Sequence, residues 1–311
     1  MAEDCIATTC VCVHAQGRDP DARLASSARL GCPRDCVTSC PTVITARKHP
    51  LLNRLIYISL VKAPLRSSFH RIYLRQAAAP PGPDSPPVIM FGNHSAWWDA
   101  HLVMALNEEQ WHTDGYVMVE DTQLSRYGFF RWCGAFSVNR RDPRSAVESM
   151  NYAINLLTEA PRRSLLIFPQ GEIRANDARP LVFFQGAGRI ASKVAMQAGA
   201  CALYPIALRY EFIGEQKPDG FISVGQPIVV RRGDEAWSRS ASAPPDPRQI
   251  TARMEQALTE ELDCLRADVV AYRLSSFTSL IRGAWSINRI WDAVRGLEQI
   301  RRVGEDDRSA R

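Results

Sequence analysis

The chain has 311 residues, of which 46% are hydrophobic and 23% are charged, which is typical of a globular protein with one large or two small domains. The formal net charge of +5 is modest and does not by itself indicate a nucleic-acid partner. No stretch reaches the ~18 consecutive apolar residues that a membrane-spanning helix needs, so the chain is predicted not to cross a membrane.

Residues 1–46 have no clear hydrophobic periodicity and hold most of the cysteines. Their spacing matches no zinc pattern and includes no CxxC pair. We interpret the segment as a disordered leader rather than a metal site or a disulfide knot. The cysteines concerned are Cys5, Cys10, Cys12, Cys32, Cys36 and Cys40.

Residues 47–76 are predicted to form a basic amphipathic helical arm, interrupted at Pro64. No acidic residue occurs from Arg47 to Pro83, and the Lys and Arg side chains alternate with leucine, isoleucine and aromatic residues. This composition suits the surface of an anionic membrane, and a helix packed on the core with solvated bases is the alternative. The Pro/Ala-rich residues 77–87 are predicted to be a linker that separates the arm from the next domain.

Residues 88–270 alternate between strand and helix patterns. This alternation predicts an α/β fold with a mixed, largely parallel central sheet flanked by helices. Strands are predicted near 88–91, 116–119, 135–138, 164–168, 202–208 and 222–229, and helices near 99–107, 123–131, 143–159, 186–198 and 248–267.

The C-terminal residues 271–303 are predicted to form one amphipathic helix that carries tryptophan and arginine. Such a helix either contacts a membrane interface or packs back onto the core. The polar residues 304–311 are predicted to be a loose tail.

A histidine and an aspartate flank the turn that follows the first of these strands. His94 comes directly after Gly92-Asn93, and Asp99 lies five residues later, where a helix begins. Side chains at this spacing can meet across the turn, where the carboxylate would fix the imidazole tautomer and strengthen it as a base. A purely structural role for Asp99 as a helix cap is the alternative.

Three further stretches place polar groups at strand ends. Arg140 follows the strand near 135–138, where a guanidinium is well placed to bind a phosphate or carboxylate. The strand near 164–168 runs into Pro169-Gln170-Gly171-Glu172, followed by Arg174, which displays polar residues beyond the strand. Gly186-Ala187-Gly188 is a weak signal for a helix whose first amides face an anion.

Taken together and in this order, these stretches resemble the glycerolipid acyltransferase family. The family's NHxxxxD motif is matched by NHSAWWD at 93–99 and its G-x-x-x-x-x-R block by GAFSVNR at 134–140. Its FPxG block is matched by FPQGE at 168–172, its F-K-x-G-A block by FFQGA at 183–187 and its V-P-like strand by YPIA at 204–207. The resemblance extends over about residues 88–230.

The resemblance implies a role for each matched residue. His94 would remove the proton from an acceptor hydroxyl, Asp99 would orient His94, and Arg140 would bind the anionic head of the acceptor. The remaining substrate-binding candidates are Asn93, Pro169, Gln170, Gly171, Glu172, Arg174 and Gly186. The donor would be acyl-CoA or acyl carrier protein as co-substrate, with neither metal nor cofactor, and the acceptor a lipid alcohol such as lysophosphatidate.

The family resemblance also implies a location and partners. The protein would be peripheral on the cytoplasmic face of a bacterial inner membrane, with an acyl thioester, a lipid acceptor and the membrane surface as partners and no nucleic acid.

Two departures from the family pattern bear on the acceptor. Phe184 replaces the lysine of F-K-x-G, which removes a cation that only Arg174 or Arg189 would replace. Trp97 and Trp98 are bulkier than the residues often found between the histidine and the aspartate. An unphosphorylated acceptor, such as a lipid-linked sugar, is therefore the alternative to lysophosphatidate.

Three other functions compete with acyl transfer. A hydrolase that pairs Ser95 with His94 lacks a G-x-S-x-G elbow. A zinc hydrolase built on His94, Asp99 and His101 has only His112 as a further nearby histidine. The non-enzymatic alternative is a lipid-binding protein that keeps the fold without turnover.

Overall fold

The structure is a computed structural model that describes residues 43–238, 240, 242–284 and 291. All of them belong to one compact unit that spans Pro41–Arg311. Most of the predicted leader at 1–46, with its six cysteines, and the predicted tail at 304–311 lie outside the described residues.

A nine-stranded sheet forms the centre of the described fold, in the order β4-β3-β5-β2-β6-β7-β1-β9, with β8 also paired to β6. The strands from β4 to β6 in this order are parallel, whereas β7 and β8 are antiparallel to β6. The predicted fold class, a mixed and largely parallel sheet flanked by helices, is confirmed. The strands are β1 Arg71–Gln76, β2 Val88–Gly92, β3 Asp114–Glu120, β4 Ala135–Val138, β5 Arg163–Ile167, β6 Ala200–Glu211, β7 Asp219–Val224, β8 Ile228–Arg231 and β9 Thr278–Arg282.

Helices cover both faces of the sheet. On one face, three long helices enclose the larger core with the sheet: α5 (Pro143–Glu159), α6 (Gly186–Ala198) and α7 (Pro247–Val270). On the other face, α1 (Pro50–Ile56) leads into a π-helical stretch, Tyr57–Lys62, which closes the smaller core together with α2 (Ala63–Ser68) and α3 (Asp99–Leu106). A short helix, α4 (Asp121–Arg126), follows β3.

The central strand β2 shows why its sequence is apolar throughout. Ile89 and Phe91 point into the larger core, whereas Val88 and Met90 point into the smaller one. Side chains alternate along a strand, so a strand covered on both faces needs an uninterrupted apolar run.

The starts of the long helices follow directly from the sequence. Asp142 and Asp246 each accept a hydrogen bond from the backbone two residues later, and each is followed by a proline in the first helical turn. Aspartate at the N-cap and proline at the next position are both favoured there, because the first amides of a helix have no partner within it. The prediction of helix 143–159 is confirmed.

The prediction of a helical arm over 47–76 is wrong at its C-terminal end, because the helical segment ends at Ser68. Residues 71–76 form β1, which is parallel to β7 and antiparallel to β9. Ile72 and Leu74 are buried and alternate with Arg71, Tyr73 and Arg75, which is the period of a strand. Residues 77–87 consequently connect two strands of one sheet, rather than an arm and a separate domain.

Pro64 does not interrupt the helical part of this segment. A π-helical stretch, Tyr57–Lys62, joins α1 to α2, and Pro64 lies in the first turn of α2. The wider π turn shifts the backbone hydrogen bonds at this junction, where Ala63 N–H donates to the carbonyl of Ile58, so the proline is accommodated.

The predicted C-terminal helix over 271–303 is wrong for residues 271–284. Thr278–Arg282 is β9, and Phe277 and Ile281 are buried in the two cores. Beyond residue 284 only Trp291 is described. The single strand predicted at 222–229 is two strands, β7 and β8, because Gly225-Gln226-Pro227 lies between them.

The helix predicted at 123–131 is also divided. It consists of α4 and a 3₁₀ turn, Gly128–Cys133. No helix among the described residues is both long enough and apolar enough to pass through a membrane.

His101 provides a test of the packing on the α3 side of the sheet. It is buried against Trp97 and Trp98, with ring centroids 4.3 Å and 5.5 Å away. Burial lowers the pKa of His101 from its ordinary value of 6.5 to about 4. The folded protein therefore keeps this ring neutral in a pH range where the unfolded chain binds a proton.

We expect this difference to make the fold less stable as the pH falls from 6.5 towards 4, by roughly 2–3 kcal/mol from this residue. Urea unfolding of wild type and of His101→Gln at pH 7.5 and pH 4.5 measures the effect. The variant should lose less stability than wild type on acidification. An equal loss in both proteins would contradict the burial of a neutral histidine.

Candidate active site

The candidate site lies at the carboxyl edge of the parallel strands. The turn after β2 carries His94, β3 ends at Glu120, Arg140 follows β4, and Phe168 follows β5. Parallel strands bring their carboxyl ends to one edge of a sheet, so residues distant in sequence meet there.

His94 and Asp99 are joined by a hydrogen bond. The His94 Nδ1 and Asp99 Oδ2 atoms are 2.8 Å apart, and the Asp99 side chain is fully buried whereas that of His94 is 24% exposed. A carboxylate that accepts from Nδ1 fixes the tautomer in which Nε2 carries the free lone pair. The ring of His94 stacks on Phe168 with centroids 4.6 Å apart, which holds its plane.

The carboxylate of Asp99 is held by three further donors. The backbone amides of Ser95 and Ala96 donate to Oδ2 at 2.6 Å and 2.8 Å, and the Tyr210 hydroxyl donates to Oδ1 at 2.6 Å. Asp99 therefore holds the backbone of the turn before α3 and binds the imidazole at the same time. It does not cap the helix, because the N-cap of α3 is Trp98 and no side chain bonds to the first amides there.

Tyr210 is a member of this cluster that the sequence did not indicate. It lies near the end of β6 and packs against Phe69, with ring centroids 5.9 Å apart. Burial, together with the Asp99 charge and the hydrogen bond to it, raises the pKa of Tyr210 well above its ordinary value. The hydroxyl thus stays protonated and donates to Asp99. Nothing in the local sequence distinguishes it, because its partner is more than a hundred residues away.

Asn93 and Gln170 hold the backbone of the turn rather than line the cavity. The Asn93 amide exchanges hydrogen bonds with both backbone groups of Leu208, at 2.8 Å and 3.0 Å, and also donates to Asn176. Gln170 Oε1 accepts from the backbone amide of His94 at 2.9 Å. Both side chains are buried, so the structure places them behind the dyad, where they position it.

A cavity of about 660 Å³ opens beside His94. It extends between the sheet and helices α5 and α6, and most of its walls are apolar. Its apolar lining includes Val117, Met118, Val119, Val138, Ala146, Met150, Ile167, Phe168, Ala187 and Ile190. A space of this size and character is typical of a site for the apolar part of a small ligand.

Each of the charged residues predicted to bind substrate already forms an ion pair within the protein. Arg140 lines the cavity and is paired with Glu120, with Nη2 and Oε2 2.7 Å apart. Arg174 pairs with Glu172, and only the glutamate of that pair lines the cavity. Glu120 is not predicted as a site residue from the sequence, although a carboxylate at the end of an apolar strand is a recognisable signal.

The glycines near the site have different roles. Gly171 has a φ of +72°, and a Cβ there would lie 2.4 Å from Arg140 Nη1, so any side chain would displace the guanidinium. Gly186 lines the cavity beside Pro169. A Cβ on Gly188 would lie 2.4 Å from Thr251 Oγ1, so this residue allows α6 to approach α7 rather than cradling an anion.

The geometry bears on two competing functions. Ser95 Oγ is buried and has no hydrogen-bond partner among the described residues, so this serine is not activated by His94. In the described part of the chain, no three His, Cys, Asp or Glu side chains are arranged to hold a metal ion.

Trp97 and Trp98 do not line the cavity, and Trp98 packs on Phe69 instead.

Comparison with known proteins agrees with the motifs. Residues 72–209 match the family model described as Acyltransferase. No curated protein matches the sequence. Among solved structures, the chain is similar to PlsC, the 1-acyl-sn-glycerophosphate (LPA) acyltransferase of Thermotoga maritima, at 15% identity and a TM-score of 0.46, over 71% of this chain and 84% of that chain. The matched range includes β1, which the sequence assigned to a separate arm.

The hydrogen bond from Tyr210 to Asp99 predicts a stability difference between two tyrosine variants. Tyr210→Phe leaves a buried carboxylate oxygen without its donor, which should reduce the free energy of unfolding by about 1–3 kcal/mol. Tyr204→Phe is the matched control on the same strand, because the Tyr204 hydroxyl bonds to no described residue. Chemical denaturation should show the larger loss for Tyr210→Phe, and equal losses would show that the bond does not form.

Proposed function

We propose that this protein is an O-acyltransferase that moves a fatty acyl group from acyl-CoA or acyl carrier protein to a hydroxyl of a lipid acceptor. The observation that carries the proposal is the His94–Asp99 hydrogen bond at the mouth of a large apolar cavity, in a chain whose residues 72–209 match the acyltransferase family model. The reaction needs no resident cofactor, because the thioester is already activated.

In the proposed reaction His94 acts as the general base. With Nδ1 bound to Asp99, Nε2 takes the proton of the acceptor hydroxyl while the hydroxyl oxygen attacks the thioester carbonyl. The new C–O bond forms, the C–S bond breaks, and the thiolate leaves with the proton that His94 returns. The buried Asp99 stabilises the imidazolium between these two steps, and no acyl-enzyme forms.

The cavity supports a lipid substrate. Its apolar walls begin at His94 and continue beneath α5 and α6, so an acyl chain would lie along them with its carbonyl at the imidazole. The polar residues at the mouth, Arg140, Glu120 and Glu172, are left to meet the head group of the acceptor.

The helical segment before β1 supports a location on a membrane surface. Leu51, Leu55 and Ile58 lie one helical turn apart and are 76%, 61% and 46% exposed. Basic residues flank them, among them Arg47 and Arg54, and the opposite side of the segment is buried against the smaller core. An exposed apolar stripe between bases suits an anionic bilayer, and we propose the cytoplasmic face of a bacterial inner membrane, with no nucleic-acid partner.

The catalytic role of His94 is tested by substitution. His94→Gln should reduce acyl transfer by ~10²–10⁴, because the general base is removed. The assay combines labelled acyl-CoA or acyl carrier protein with a panel of lysolipids and lipid alcohols, and it measures ester product. Far-ultraviolet circular dichroism checks that the variant folds.

Ser95→Ala is the matched control, since it removes the hydroxyl of the residue that follows His94 in the chain while keeping the backbone amide that binds Asp99. It should retain the activity of wild type. Full activity of His94→Gln would refute the proposed mechanism, and loss of activity in Ser95→Ala alone would favour a serine nucleophile.

The membrane role is tested by charging the exposed stripe. The double variant Leu51→Glu/Leu55→Glu should lose most binding to phosphatidylglycerol vesicles in co-sedimentation, because it replaces apolar contacts with anions. Val147→Glu/Val270→Glu changes two exposed valines on α5 and α7 in the same way and should bind like wild type. Equal binding by all three proteins would show that this helical segment is not the membrane contact.

A further inference from the structure

The arginine best placed to meet an acceptor head group is already paired within the protein. Arg140 Nε and Nη2 both donate to Glu120 Oε2, at 3.1 Å and 2.7 Å. The pairing follows from the sheet, because Glu120 ends β3 and Arg140 follows β4, its parallel neighbour. Both side chains line the cavity, so the carboxylate accompanies the guanidinium into the site.

The Arg140 guanidinium has two further neighbours besides Glu120. Its Nη1 lies close to the backbone at Gly171, where even a methyl group would collide with it. The ring of Phe184 stands over the guanidinium, with its centroid 5.9 Å from the central carbon. Phe184 is 61% exposed and lines the cavity together with Arg140, so an incoming head group meets an aromatic ring as well as the arginine.

Three of the charged residues that line the cavity are neutralised by ion pairs, at Arg140–Glu120 and Glu172–Arg174. Among its lining residues Arg140 and Arg189 are basic, and Glu120 and Glu172 are acidic. A phosphate monoester carries about −1.5 to −2 charges at neutral pH and is normally bound by an excess of cations. Only the exposed Arg189 lines the cavity without an ion pair among the described residues, and one cation is fewer than a phosphate monoester normally needs. At Arg140 a phosphate would have to displace Glu120 or lie beside that carboxylate, and either arrangement opposes binding.

We propose that the acceptor is a lipid alcohol whose head group has no net charge, and that Glu120 and Phe184 exclude phosphate monoesters. This inference rests on the proposed acyl transfer and names the class of acceptor for the same site. The Glu120 carboxylate neutralises the charge of Arg140. The free lone pairs of Glu120 and the remaining N–H groups of Arg140 can still form hydrogen bonds with hydroxyl or zwitterionic groups. Phe184 supplies an apolar surface where a lysine would attract an anion.

Acceptors with one acyl chain and different head groups test the proposal. The purified protein is assayed with monoacylglycerol, lysophosphatidylethanolamine and lysophosphatidate as acceptors, and kcat/KM is measured for each. Wild type should favour the two acceptors without net charge by at least about tenfold, which is roughly the effect of 1.4 kcal/mol in the transition state. A preference for lysophosphatidate would overturn the proposal.

Two variants are designed to weaken the discrimination against lysophosphatidate, each by a different change in charge. Glu120→Gln releases Arg140 from its carboxylate, and Phe184→Lys adds a cation at the mouth. Each should raise kcat/KM for lysophosphatidate relative to monoacylglycerol about tenfold. Glu148→Gln, an exposed change on α5 outside the cavity, is the control and should leave the ratio unchanged. If neither Glu120→Gln nor Phe184→Lys moves the ratio, these residues do not set the acceptor.

The assay separates this inference from the function on which it rests. Ester formation that depends on His94 but favours lysophosphatidate would refute the acceptor class alone. If wild type forms no more ester than His94→Gln with every acceptor, the proposed acyl transfer fails and the inference fails with it.

Discussion

The site depends on how one buried carboxylate is satisfied. Asp99 has no exposure to solvent, and an ionised carboxylate in such a place needs several donors to offset its lost hydration. Two backbone amides from its own turn, the His94 ring and the Tyr210 hydroxyl supply them. These four donors come from the β2–α3 turn and from β6, so the carboxylate links two neighbouring strands and fixes the imidazole between them.

The surrounding residues keep that turn in place from behind. Asn93 and Gln170 use their amide groups on the backbones of Leu208 and His94, so the turn is bonded both to β6 and to the loop after β5. The apolar cavity and the neutralised Arg140 lie on the other side of the imidazole. The arrangement separates two environments, since buried polar groups hold the imidazole on one side and mostly apolar walls face it on the other.

The predictability of the fold varied with the kind of signal. Strand β2 and helices α5 and α6 follow from local patterns: an apolar run, an Asp-Pro start and a helical period. Residues 71–76 and 278–282 were assigned to helices because basic and aromatic residues among apolar ones suit either structure over so few positions. These two segments are strands because they pair with each other and because β1 also pairs with β7. Pairing between segments so far apart in the chain cannot be read from the local sequence.

The sequence by itself determined the α/β class, the match to the acyltransferase motifs and the pairing of His94 with Asp99, because these depend on periodicity and on motifs within a few residues. Only the tertiary structure decided that Tyr210 completes the cluster and that Glu120 neutralises Arg140. It also decided that Asn93 and Gln170 support the turn. Those contacts join side chains from different strands, and their distances are set by how the sheet is ordered and not by spacing along the chain.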